Sequence, residues 1–186
     1  RAVLESVLFL EGKCIFSVVR KQDMDFYGVE ASDLDGIVDQ LYAAEPPQGL
    51  SQTRALGEIN RFMSAKDVAV GSSGSLPGDM QRLWRAGEKG TYHMEYGFSN
   101  MGYEVNGAMG VKLAEPDREV YTFFGDGSYL MAHSEMLTCV QEGIRVHFCL
   151  FDNSGWGCIE NLQNNQGNDT FGTVFRKRNP ATGELD

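Results

Sequence analysis

Apolar positions along this chain fall into two rhythms, one close to the helical period and one of short unbroken runs. Helical spacing appears in Leu34, Ile37, Val38 and Leu41, with Ser32 as a candidate cap, and again in Ala55, Leu56, Ile59, Phe62 and Met63 after Ser51 or Thr53. Asp67 to Val70 reads as a short strand running into the small-residue turn Gly71-Ser72-Ser73-Gly74-Ser75. A loop around Pro77-Gly78-Asp79 then leads to one or two helical turns over Met80–Trp84. Tyr103 to Ala114 predicts a helix. Its internal Gly107 and Gly110 each cost roughly 1 kcal/mol of propensity, so something is expected to pack very close to them. Residues 1–20 admit a helix followed by a strand, but runs that short leave the assignment open.

The clearest pattern spans Gly125 to Gly157. An apolar, β-rich run, Glu119 to Phe124, meets Gly125-Asp126-Gly127-Ser128. A helical stretch and a second apolar run, Val146 to Phe151, follow, and the run ends in Asp152-Asn153-Ser154-Gly155. Strand, glycine turn, helix, strand and oxygen-rich turn make a parallel βαβ unit, and both turns lie at the carboxyl ends of their strands. A short helix over Cys158–Leu162 and a strand over Phe171–Phe175 are expected after it.

Composition changes this picture little. With 186 residues, 42% of them hydrophobic and 23% charged, the chain has material for one sizeable core. The net charge of −10 argues against a nucleic-acid partner, and no apolar run is long enough to span a bilayer. Cys139 and Cys149 sit in apolar runs with no C-x-x-C spacing, which points to thiols in a reducing cytoplasm. The start at Arg1 suggests a processed piece or a fragment.

Asp126 and Asn153 are separated by one helix and one strand, enough to return the chain to the same edge. A carboxylate, an amide oxygen and a turn carbonyl are hard ligands that suit magnesium or calcium. Such a metal keeps positions open for phosphate oxygens, and Gly127 and Ser128 would offer N–H groups at a helix start.

Gly125-Asp126-Gly127-Ser128, this interval and Asp152-Asn153-Ser154-Gly155 resemble the signature of thiamine diphosphate-dependent enzymes, GDG followed at somewhat under thirty residues by NN. The first Asn is Asp152 here. The resemblance implies an α/β fold, a parallel sheet with helices on both faces, and thiamine diphosphate with Mg2+ as cofactors. It carries the metal ligands over to Asp126, Asn153 and the Gly155 carbonyl, and the cofactor contacts to Gly125, Gly127 and Ser128. Gly71-Ser72-Ser73 is similar to a diphosphate-side loop of the family, which brings in Ser72 and Ser73. Ser99-Asn100-Met101-Gly102 is similar to the loop under the cofactor's bend. Met101 would be the wedge there, and the Ser99 carbonyl would accept from the 4′-amino group.

Three strings, Gly74–Asp79, Tyr92–Gly97 and Asn153–Ile159, narrow the resemblance to the branch that opens trihydroxycyclohexane-1,2-dione to 5-deoxy-glucuronate in inositol catabolism. A cyclic polyol dione is then the expected substrate, and His93 and Glu95 are the candidate proton carriers. His133 suits a structural or interface role, and His147 a core one. Residues 51–186 would form the diphosphate and metal domain, cut short at its C-terminus, with residues 1–50 an unassigned segment and connector. The family's activating glutamate belongs to a separate domain, on a neighbouring subunit of at least a dimer, and no segment here resembles it. Little turnover is therefore expected of this polypeptide alone. Two other readings stand beside the hydrolase: a synthase or decarboxylase acting on a 2-keto acid, and a non-catalytic magnesium–diphosphate module.

Overall fold

The computed structural model describes residues 9–10, 13–14, 34–44 and 49–185. Two short strands, β1 (Phe9–Leu10) and β2 (Lys13–Cys14), pair antiparallel. The rest of the reading of residues 1–20 lies outside the described residues, as does the Ser32 cap.

The main sheet holds β3 (Val68–Gly71), β4 (Tyr92–Met94), β5 (Val120–Gly125) and β6 (His147–Phe151), all parallel, in the order β4-β3-β5-β6. Seven helices accompany these strands among the described residues: α1 (Leu34–Ala43), α2 (Gln52–Phe62), α3 (Ser75–Leu83), α4 (Tyr103–Ala114), α5 (Asp126–Ala132), α6 (Glu135–Gln141) and α7 (Gly157–Asn165). The unbroken apolar runs of β3 and β5 reflect a sheet covered on both sides. Ala69, Tyr121 and Phe123 join Leu56 of α2, Met80 and Leu83 of α3, and Tyr42 of α1 in one core. Val68, Val70 and Val120 meet Ala108 of α4 in a second. Each Val, Leu, Met or Phe among them, fully buried, stabilises the fold by roughly 1.5–3 kcal/mol.

The structure departs from the sequence reading at five places. The stretch read as a connector contains α1, whose Tyr42 is buried in the core against Gly57 of α2. The Pro77-Gly78-Asp79 loop lies inside α3, because Pro77 falls in a first turn that needs no donor from it. The helical stretch after Ser128 breaks at His133-Ser134 into α5 and α6. Phe171–Phe175 contributes one isolated antiparallel bridge, Gly155 with Val174, in place of a strand. Gly107 is approached by the Tyr103 ring of its own helix and Gly110 by nothing within 4 Å, so among the described residues neither meets a neighbouring helix.

From β3 the chain moves outward to β4, then crosses back to β5 on the far side of β3. The loops after β3 and β5 therefore leave the sheet in opposite directions, which opens a crevice at its carboxyl edge.

Candidate functional site

Two turns meet at this edge. Asp126, 8% exposed, accepts from the N–H of Gly127 at Oδ1 (3.1 Å) and from the N–H of Gly155 at Oδ2 (2.8 Å). The second turn is shaped by Asp152, whose Oδ1 accepts from Ser154 N–H at 2.8 Å, with Ser154 held at φ 62°. It is braced from behind: Trp156 N–H donates to Thr173 O, and Phe175 N–H to Ser154 O, both at 2.7 Å.

One terminal atom of the Asn153 amide lies 3.1 Å from Asp126 Oδ1 and 2.9 Å from the Gly155 carbonyl oxygen. As nitrogen it donates to both. As oxygen it completes a cluster of three hard donors with no proton between them, an arrangement that calls for a cation. Close packing fixes the amide, since a Cβ on Gly157 would stand 2.8 Å from it. No group of three His, Cys, Asp or Glu with metal-binding geometry occurs among the described residues.

Two further loops complete the crevice. Ser72 Oγ donates to Asn100 O at 2.6 Å, tying the turn after β3 to the loop before α4. The buried Ser73 Oγ has no hydrogen-bond partner among the described residues. Ser99 sits at φ 54°, a costly conformation for a residue with a side chain. Glu95 explains how the loop holds it: the carboxylate accepts from Phe98 N–H at 2.7 Å and Asn100 N–H at 3.0 Å. These backbone bonds hold its pKa below the ordinary carboxylate value.

The resulting cleft, about 240 Å³, is lined by Ser73, Ser99, Met101, Gly125, Gly127, Ser128, Asn153 and Gly155 of the expected set. Ser72 and Asp126 lie buried beside it. The two expected proton carriers do not line it: His93 is exposed on β4, and both oxygens of Glu95 are engaged by its own loop. His133 ends α5 beside the Tyr129 ring, 5.1 Å between centroids. His147, half-buried at the start of β6, bonds Glu119 at 2.6 Å and stacks on Tyr121.

Several lining residues were not assigned to the site from the sequence, among them Gln52, Ser75, Phe151 and Cys158. Gln52 enters from α2, donating to Asp79 Oδ2 at 2.6 Å, and such a long-range approach leaves no local signal. Trp156 covers Gly127 so closely that a Cβ there would stand 2.5 Å from its ring. Glu104 is the largest omission. It is 1% exposed, and its carboxyl contacts Gly102 N–H at 2.7 Å and Ser128 Oγ at 2.9 Å. Burial raises its pKa, against the opposing effect of its hydrogen bonds. The one available signal was an acidic residue in the first turn of a helix.

Residues 72–183 match the family described as thiamine pyrophosphate enzyme, C-terminal TPP binding domain. The 3D-(3,5/4)-trihydroxycyclohexane-1,2-dione hydrolase of Geobacillus thermodenitrificans (strain NG80-2) is 58% identical over 137 residues, covering 74% of this chain and 21% of the relative. The protein of the same name from Clostridium tetani (strain Massachusetts / E88) is 49% identical over 164 residues, 88% of this chain and 25% of the relative. The chain thus spans about a quarter or less of these relatives. Among solved structures, the thiamine diphosphate-dependent 4-hydroxybenzoylformate decarboxylase of Rhodococcus jostii RHA1 shares the fold, with a TM-score of 0.64 and 20% identity, over 70% of this chain and 25% of that one. The chain belongs to the thiamine pyrophosphate enzymes, and residues 72–183 are their C-terminal TPP-binding domain.

Proposed function

We propose that this chain supplies the diphosphate and metal half of an enzyme that hydrolyses a carbon–carbon bond of trihydroxycyclohexane-1,2-dione, giving 5-deoxy-glucuronate in inositol catabolism. The observation that carries the cofactor half of this reading is the convergence of Asp126, the Asn153 amide and the Gly155 carbonyl at one point of the cleft. The relatives' names support the substrate. When bound, thiamine diphosphate supplies a nucleophilic carbon that adds to a carbonyl, and an electron sink for the bond that breaks.

The chain's own residues bind and orient. Asp126, Asn153 and the Gly155 carbonyl hold Mg2+. Ser72, Ser73, Gly125, Gly127 and Ser128 receive the diphosphate, where the partnerless Ser73 hydroxyl would find its acceptor. Met101, which lines the cleft, would be the wedge under the cofactor's bend, and the Ser99 carbonyl would accept from its amino group. Glu95 acts at one remove, by holding the loop that presents both residues. Ring opening also needs a proton donor, and His93, exposed on β4, is this chain's candidate. The active assembly is a cytoplasmic homo-oligomer, at least a dimer. Among the described residues no helix is long and apolar enough to cross a membrane.

The test uses the complete encoded polypeptide that carries this chain, loaded with thiamine diphosphate and Mg2+. It should convert the dione to the ring-opened acid, lose activity on chelation and leave pyruvate untouched. Turnover of pyruvate with an inert dione would transfer the protein to the synthase or decarboxylase class.

A further inference from the structure

The described residues offer few unassigned features as well built as Glu104. A glutamate that is 1% exposed is costly unless its oxygens are engaged. Here the bonded partners come from two separate segments: Gly102 N–H before α4 and Ser128 Oγ after β5. The backbone of Glu104 is fixed as well, because Thr122 Oγ1 of β5 donates to its carbonyl at 2.8 Å. The residue thus sits where two of the cleft's four loops meet, the one before α4 and the turn after β5.

We propose that Glu104 is a positioning residue for the cofactor, tying the loop before α4 to the Gly127–Ser128 turn after β5 and so fixing the backbone that receives the diphosphate. The inference rests on the cofactor reading above. Its chemistry follows from the partners. A serine has one O–H, and Ser128 gives it to Glu104, so the hydroxyl anchors the turn and leaves the turn's backbone N–H groups to meet an anion. This 2.9 Å bond to a buried carboxyl fixes the turn where it lines the cleft. The Gly102 bond does the same for the neighbouring loop, since Gly102 follows Met101 directly and has φ 90°.

The experiment measures the dissociation constant of thiamine diphosphate with Mg2+ on the complete polypeptide, by calorimetry or by Trp156 fluorescence, independently of turnover. Glu104→Ala should weaken binding about tenfold or more. Glu104→Gln should recover most of that loss, because the amide keeps an acceptor for Gly102 N–H and a donor for Ser128 Oγ. In a Ser128→Ala background the further change to Ala should add only about half its single-variant effect in free energy or less, the coupling expected of two groups that act together. Ala108→Gly on the same helix serves as the control. It should lower the melting temperature and leave the dissociation constant alone.

Wild-type affinity in Glu104→Ala, full additivity with Ser128→Ala, or a Gln variant as weak as the Ala variant would each overturn the inference while leaving the cofactor reading in place. A wild-type protein that does not bind thiamine diphosphate would overturn both.

Discussion

The main-chain N–H of Gly155 donates to Asp126 Oδ2 across 2.8 Å, joining two turns that lie 29 residues apart in the chain. Asp126 thereby serves the fold as well as the cation. Its second oxygen accepts from Gly127 N–H, so both oxygens face donors. Asp126→Asn keeps the shape but sets a donor against one of these N–H groups. The expected cost is about 1–3 kcal/mol of stability, together with weaker Mg2+-dependent cofactor binding. Urea denaturation checks the first part through a lower midpoint at unchanged slope. An unchanged midpoint would mean that Asp126 does not hold the turns together.

Three glycines make contrasting predictions. Alanine at Gly157 puts a Cβ 2.8 Å from the Asn153 amide, so Gly157→Ala should cost Mg2+ affinity about tenfold, read by titration in the presence of thiamine diphosphate. At Gly127 the obstacle is the Trp156 ring at 2.5 Å, and the expected signature is altered tryptophan emission. Gly110, by contrast, meets nothing within 4 Å in the interior of α4, so Gly110→Ala should stabilise the protein by about 0.5–1 kcal/mol. A destabilised Gly110→Ala variant would show that the helix has a neighbour there.

Glu95 gives the loop of Ser99 and Met101 a pH dependence whose sign is fixed. The backbone N–H groups of Phe98 and Asn100 lower its folded pKa below the ordinary value of 4.5. The bonds are therefore fully present above about that pH and lost as pH falls through the lower, folded value. Protection of the Phe98 and Asn100 amides against hydrogen exchange should decline on acidification below the ordinary carboxylate range. Glu95→Gln should remove that decline, leaving protection low throughout. A wild-type loop equally protected at every pH would show that the carboxylate is not what holds it.

How far the sequence could be read depends on the range of the interactions. β5 and β6 were legible because strands covered on both faces read as apolar runs, and their turns because glycine and Asx side chains act within a few residues. Asp126 and Asn153 follow from those local turns. Glu104 does not, because nothing in a charged residue's own neighbourhood says that it will be buried between loops brought together by the sheet. The same holds for Gln52, which reaches the cleft from α2, and for the bridge that braces Gly155 from Val174. Glu95 failed in a different way. A carboxylate near a predicted cofactor loop fits proton transfer and loop capping equally well, and only its bonds to Phe98 and Asn100 distinguish the two.

Tyr42 tests whether α1 is part of the folded unit. Its side chain is 1% exposed, lies within 3 Å of where a Cβ on Gly57 would be, and donates its hydroxyl to Leu83 O at the end of α3. Arg85 stands 5.8 Å above the ring and also binds Asp35 and Asp39 of α1. One residue thus connects α1, α2 and α3 over the face of the sheet that carries Tyr121 and Phe123. Tyr42→Phe removes only the hydroxyl and leaves Leu83 O without that donor, for a loss of about 1 kcal/mol. Tyr42→Ala also empties the packed site, and a loss of about 3–5 kcal/mol is expected from large aromatic truncations. The exposed Asp35–Arg85 and Asp39–Arg85 pairs should matter less, each within about 1 kcal/mol. Chemical denaturation separates these cases, and a single shared transition for wild type and Tyr42→Phe is the expected result. If Tyr42→Ala left the midpoint unchanged, α1 would be an appendage and the stretch before Ser51 a connector after all.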